Sequence, residues 1–212
     1  MTSTLNVLIG LAMGLNLLAL ASSRLPGLIR AVALQGAVLG LMPVLMHHAD
    51  WRVHLVSVAT VAGKGLVIPM LLRRAMRAAN IEREIDPFIG FVPSLLLGAG
   101  GTIAAAGLAR VLPLLPAHAG TLLVPGSLAS VLTGFVLLIG RTKAISQVCG
   151  YLILENGIFL FGLLLIDATP LLVEAGILLD LTVGVFVLGI IVDRIQRAFD
   201  TLDTRKLTAL RE

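Results

Sequence analysis

Long apolar runs separated by short polar or proline-bearing breaks occupy most of the chain. Residues 4–22, 28–46, 53–72, 88–111, 122–140, 144–166 and 170–192 each reach the length of about 17–25 residues that a helix needs to cross a bilayer. The breaks are Ser23-Arg24-Leu25-Pro26, His47 to Arg52, Arg73 to Pro87, Pro113 to Gly120, Arg141-Thr142-Lys143 and Asp167 to Pro170. Prolines mark several of these ends, as expected where helices stop. Runs of this length suit helices rather than barrel strands. The pattern predicts an all-α integral membrane fold with about seven transmembrane helices. The one long polar loop, Arg73 to Asp86, mixes Arg with Glu82, Glu84 and Asp86, and predicts a short amphipathic surface helix or a solvated loop.

Composition agrees. The 212 residues are 58% hydrophobic and only 13% charged, roughly half the charged share of a soluble domain. Mean hydropathy is +1.02. A net charge of +4 could suggest nucleic acid, but the basic residues flank apolar runs and read better as orientation signals. With seven spans, Arg24, Arg30, Arg73, Arg74, Arg77, Arg83, Arg141, Lys143 and the basic residues of the tail share one side. Arg52 and Arg110 fall on the other. The positive-inside rule then puts the N-terminus outside and the C-terminus in the cytoplasm. Residues 4–22 lack a basic stretch ahead of them, so a retained first helix is expected rather than a cleaved signal. A single cysteine, Cys149, excludes an internal disulfide and a multi-cysteine metal or iron–sulfur site.

Three ionisable residues stand in the middle of apolar runs: Lys64, Glu155 and Asp180. A charge at the bilayer centre costs about 2.5–3.5 kcal/mol on insertion scales, so such residues normally face a bundle interior or a water-filled cavity. Lys64 lies about 16 Å beyond Val53 at 1.5 Å per residue, near the centre of a core about 30 Å thick. Ser57 and Thr60 share its helix face, and Pro69 follows where it can loosen the helix. Glu155 sits at similar depth, with Asn156 beside it. Gln147, Tyr151 and Glu155 recur every fourth residue, a polar stripe that could admit protons from the cytoplasmic edge. Asp180 is central in the last run, which a short link makes an antiparallel neighbour of the sixth. One base and two acids at one depth suit proton transfer, because burial disfavours the charged form of either kind of group. The plainer alternative is a static buried ion pair. Elsewhere, His47, His48, Asp50 and His54 cluster without assured ligand spacing, and no metal site is expected. Gly10 with Gly14, and the Gly/Ala-rich stretch 98–107, read as helix-packing surfaces. Ser127, Ser130 and Thr133 suit interhelical hydrogen bonds. No phosphate loop, nucleophile triad or redox-cofactor motif is present in the sequence.

The stretch Arg141-Thr142-Lys143, then Gly150-Tyr151-Leu152-Ile153-Leu154-Glu155-Asn156-Gly157, resembles the hydrogenase-4 component E family. So does the tail from Thr201 to Leu210, and more loosely the rest, including Lys64 with Pro69. That family is similar, over about the last 90 residues here, to subunit K of complex I. The resemblance implies a four-helix region at 1–120, a three-helix subunit-K-like module at 121–192 and a cytoplasmic tail at 193–212. It places Asp180 where the second membrane glutamate of subunit K lies. Leu152 stands at the first glutamate's position, with Glu155 about one turn on. It further implies a non-redox subunit in the inner membrane of a bacterium or archaeon, holding no cofactor itself. Its neighbours would be antiporter-like membrane subunits and hydrogenase-like peripheral subunits. A subunit of a multisubunit cation/proton antiporter, or a scaffold without proton transfer, are the alternative readings.

Overall fold

A computed structural model describes residues 2–46, 51–113 and 120–164. Helices α1 (Thr2–Ala21) and α2 (Leu25–Met46) form a first hairpin. A continuous helical run follows, made of α3 (Trp51–Thr60), a π-helical segment (Val61–Val67) and α4 (Ile68–Ala78). Then come α5 (Phe91–Val111), α6 (Leu123–Gly140) and α7 (Ala144–Leu163). Six of these runs are long and apolar enough to cross a membrane. Six of the seven expected runs thus coincide with membrane-length helices, five of them within about three residues of the expected limits, while the third continues past its expected end at 72 to Ala78. The seventh, 170–192, lies outside the described residues, as do the tail and Asp180.

The outward faces stay apolar. Val7, Leu18, Leu34, Val58, Met70, Val92, Leu96 and Ile103 are all more than half exposed. Such surfaces are costly in water and natural against lipid. Inside, two apolar clusters stack along the bundle. One gathers Leu20, Leu25, Leu28, Leu72, Leu137, Cys149 and Ile153. The other gathers Ile9, Leu39, Met42, Leu123, Leu160 and Leu163. Along α1, α2, α6 and α7, the buried polar residues Asn16, Gln35, Ser130, Glu155 and Asn156 fall between the two clusters. A polar layer is therefore enclosed at mid-height.

The connections 22–24, 79–90 and 141–143 meet at one end of the bundle. Leu25 N–H donates to the Glu82 carbonyl at 3.0 Å, and Glu84 N–H to that of Ser23 at 3.0 Å. The opposite end is tied by Asn6, whose amide donates to the Gly120 carbonyl at 3.0 Å and accepts from Leu122 N–H at 2.9 Å. Odd-numbered connections sharing one end is what the distribution of basic residues requires.

The first part of the polar stretch, Arg73 to Ala78, continues α4 as an amphipathic helix with Arg73, Arg74 and Arg77 exposed and Ala75 and Met76 buried, whereas 79–90 is an irregular loop. The helix ends at Ala78 in a Schellman motif, with Asn80 N–H bonding the Arg77 carbonyl and Ile81 N–H bonding that of Met76. Asn80 takes a left-handed φ of 52°, which asparagine tolerates better than most residues. Beyond it, Glu84 turns inward and is buried. Its carboxylate accepts from Thr142 N–H at 2.9 Å, Thr142 Oγ1 at 2.8 Å, Lys143 N–H at 3.0 Å and the Ser146 hydroxyl. It thus caps the start of α7 from another loop, where the helix dipole also favours an anion. Burial alone would raise the Glu84 pKa, but the bonds from Ser146, Thr142 and Lys143 outweigh it and hold the carboxyl below its ordinary value. Beside it, Arg141 is 1% exposed. Its guanidinium donates to the Leu20 carbonyl at 2.6 Å and the Ile89 carbonyl at 3.3 Å, and lies 4.4 Å from the Phe91 ring centre. Burial lowers its pKa, and the Glu84 charge opposes that.

A candidate intramembrane charge site

Lys64 lies near the middle of the run from Trp51 to Ala78, inside the π-helical segment. The local sequence explains the wider coil. Pro69 has no N–H, and in an α-helix its ring would collide with the carbonyl of Gly65, four residues back. The run shifts register instead, and Ile68 N–H bonds the Gly63 carbonyl, five residues back. Gly63 and Gly65 flank Lys64 and ease the change. Single π turns inside α-helices are frequent at functional sites. A small residue on α2 admits the segment closely: a Cβ at Gly36 would lie 2.8 Å from Lys64 Cβ. Ser57, Thr60 and Lys64 are all buried, so the expected shared face is real.

The Lys64 ammonium lies 3.4 Å from Glu155 Oε2 on α7, with side-chain exposures of only 7% and 6%. It also donates to Asn156 Oδ1 at 3.2 Å and sits 5.9 Å from the Phe159 ring centre, within cation–π range. Lys64 and Glu155, one from each half of the chain, therefore form one site. Asp180 lies outside the described residues.

From Lys64 a ladder of buried side chains runs back through the bundle. Asn156 Nδ2 donates to Gln35 Oε1 at 3.2 Å, and Gln35 Nε2 to Asn16 Oδ1 at 2.7 Å. Asn16 Nδ2 then donates to Ser130 Oγ at 2.9 Å, and Ser130 Oγ to the Gly126 carbonyl at 2.8 Å. The direction is forced. An ammonium only donates, so Asn156 must present its oxygen to Lys64 and its NH2 to Gln35, and so on down the ladder. Every side-chain dipole thus has its oxygen end toward Lys64. Chains aligned this way polarise one another and compensate a desolvated cation.

Gln147 and Tyr151 lie on the same helix as Glu155 and are half-buried, whereas Glu155 is buried. Gln147 Nε2 is bound to the Arg141 carbonyl at 3.0 Å, which fixes it near the end of the bundle where the 22–24, 79–90 and 141–143 connections meet. Among the described residues no group of His, Cys, Asp or Glu side chains could hold a metal ion. His54 is exposed, and His47, His48 and Asp50 lie outside the described residues. The residues that sequence reasoning passed over are Asn16 and Gln35, and it gave Glu84 and Arg141 only loop and orientation roles. Asn16 and Gln35 carried a usable signal, since an amide inside an apolar span must find a polar partner.

Among the described residues, six membrane-length helices, with an ion pair and an amide ladder enclosed between them, define a multi-pass helical membrane protein. The chain is 36% identical over 193 residues to the uncharacterized protein Rv0085 of Mycobacterium tuberculosis, covering 89% of this chain and 87% of that protein. It is 32% identical over 152 residues to hydrogenase-4 component E of Escherichia coli strain K12, covering 70% of this chain and 68% of that protein. The same figures hold for hydrogenase-4 component E of Shigella flexneri. No family model and no solved structure matches the chain. The chain belongs to the hydrogenase-4 component E family.

Proposed function

We propose that this chain is a membrane subunit of a complex-I-like hydrogenase assembly, and that it couples electron transfer elsewhere in the assembly to proton movement through its own buried charges. The observation that carries this reading is the Lys64–Glu155 pair at mid-height, in a chain 32% identical to hydrogenase-4 component E. A proton passing from Lys64 Nζ to Glu155 Oε2 turns an ion pair into a neutral amine and a carboxylic acid. The net charge of the site is unchanged, so the transfer avoids placing an uncompensated charge in the membrane. The ammonium side is favoured by the amide ladder. A displacement of the π-helical segment would change that balance and so bias the proton one way or the other.

In this reading Glu155 and Asp180 carry protons, Lys64 is the charge that switches them, and Gln147 and Tyr151 mark the approach from the cytoplasmic edge. The chain has seven spans, with its N-terminus outside and its C-terminus in the cytoplasm of a bacterium or archaeon. Residues 121–192 correspond to subunit K of complex I. Antiporter-like membrane subunits and hydrogenase-like peripheral subunits surround it, and those peripheral subunits hold the redox centres. The test is reconstitution of the native complex in vesicles, with hydrogen turnover and proton uptake measured together. Glu155→Gln with Asp180→Asn is expected to abolish pumping and leave assembly intact. Full pumping by the assembled double variant would refute the relay. Absence of nickel and iron from the purified complex would instead favour a cation/proton antiporter.

A further inference from the structure

We infer that the cleft between the end of α1, the start of α2 and the 79–90 loop binds the phosphate of an anionic phospholipid headgroup. The cleft holds about 730 Å³ and is lined by Arg24, Arg30 and Arg83, with Glu82, Ser22 and Ser23. Three arginines line it against one glutamate.

Arg24 and Arg83 come from different connections, and an isolated antiparallel bridge sets them directly opposite each other. The two bonds flanking the pair, Leu25 N–H to the Glu82 carbonyl and Glu84 N–H to the Ser23 carbonyl, make it the close type, with Cα atoms about 4.5 Å apart. Side chains of such a pair leave on the same face, and like charges placed so are destabilising. Among the described residues no carboxylate forms an ion pair with Arg24, Arg30 or Arg83. An orientation signal needs arginines on the right side of the membrane but gives no reason to press two together. An anion between them does. The loop is also held from below, because Glu84, the next residue after Arg83, is anchored on the start of α7.

Position selects the ligand. The cleft lies where two apolar spans, Ser3–Ala21 and Leu25–Leu45, reach the bilayer boundary, which is the level of lipid phosphates. Arginine forks match phosphate oxygens two at a time. Basic pockets between membrane helices are suited to anionic headgroups. The Ser22 hydroxyl, which donates to the Arg24 carbonyl at 2.9 Å, fixes the turn that presents Arg24.

The test is native mass spectrometry of the full chain released from vesicles of phosphatidylglycerol or of phosphatidylcholine, with inorganic phosphate as a separate titrant. Saturable retention of phosphatidylglycerol over phosphatidylcholine is expected. Arg83→Gln should weaken it about tenfold, the worth of one charge-assisted hydrogen bond. Arg30→Gln, which leaves the bridge between the two loops untouched, should act in the same direction and keeps the test valid if Arg83→Gln folds poorly. Saturable binding of phosphate with no lipid preference keeps the anion site but makes free phosphate its ligand. Equal retention of both lipids with no phosphate binding, or retention unaffected by both substitutions, overturns the proposal. So does the finding that these substitutions only release a neighbouring subunit from the assembled complex.

Discussion

Lys64 and Glu155 can be separated energetically from the function proposed for them. Removing one member of a buried pair strands the other, so Glu155→Leu or Lys64→Met alone should destabilise the chain by about 3–5 kcal/mol. Replacing both by apolar residues, Lys64→Met with Glu155→Leu, should recover most of that loss, because a buried pair and a well-packed apolar pair are often of similar stability. Thermal unfolding in detergent reads both outcomes. A double variant as unstable as the worse single one would show that the ladder, not the pair, holds the site together. The ladder has its own signature. Gln35→Met should cost about 1–3 kcal/mol, because it leaves Asn156 and Asn16 each lacking a buried partner. Lys64 and Glu155 were legible in the sequence as charges at one depth. Their contact was not, because helix packing order is not encoded in hydropathy. Asn16 and Gln35 were legible only as amides inside apolar spans: a lone amide barely lowers the hydropathy of its run, so the signal lies in its need for a buried partner. Asn156 was visible only as a neighbour of Glu155, whereas it is the group that joins Lys64 to the ladder.

Helices α6 and α7 pack at backbone distance, and glycines make this possible. A Cβ at Gly157 would lie 2.7 Å from Val131 N and 2.8 Å from Ser127 O, and one at Gly150 would lie 2.9 Å from Leu138 N. Gly157→Ala should therefore push the helices apart, at about 1–3 kcal/mol, and displace Glu155 two residues away. Gly100→Ala and Gly107→Ala meet open space and should be neutral or stabilising, by up to about 1 kcal/mol. The same comparison made by melting temperature decides whether glycine is required at a position or only tolerated. Gly10 and Gly14, expected as packing glycines, have no neighbour within 4 Å of an added Cβ among the described residues. The spans were legible because each is a long apolar run with a clear break. The π-helical segment was foreshadowed only by Pro69, since proline says that an α-helix is disturbed and not how. In the stretch from Arg73 to Asp86 the amphipathic helix was legible as far as Ala78, and the reading failed at Glu84, whose charge suggests solvent. Glu84 is instead consumed by the exposed backbone N–H groups that open α7.

At the scale of the whole molecule, Glu84 and Arg141 lock three connections together, and the lock should respond to pH. The Glu84 carboxyl titrates below its ordinary value in the folded chain. Its contribution is therefore fully present above the ordinary carboxyl range and is lost as pH falls through the lowered value. Melting temperature should drop on acidification, and Glu84→Gln should remove that part of the drop while lowering stability near neutrality. An unchanged acid profile in Glu84→Gln would assign the sensitivity to other carboxylates. Above the lock lies the polar layer, sealed between two apolar clusters, and it is this enclosure that makes a proton step there meaningful. The most direct measurement is proton uptake per hydrogen turned over by the native complex in vesicles, carrying Lys64→Met with Glu155→Leu. That variant should keep the site packed and the chain stable while removing both proton-exchanging groups. Hydrogen turnover with proton uptake lost is the predicted result. Uptake at the wild-type ratio in the assembled complex would contradict the account.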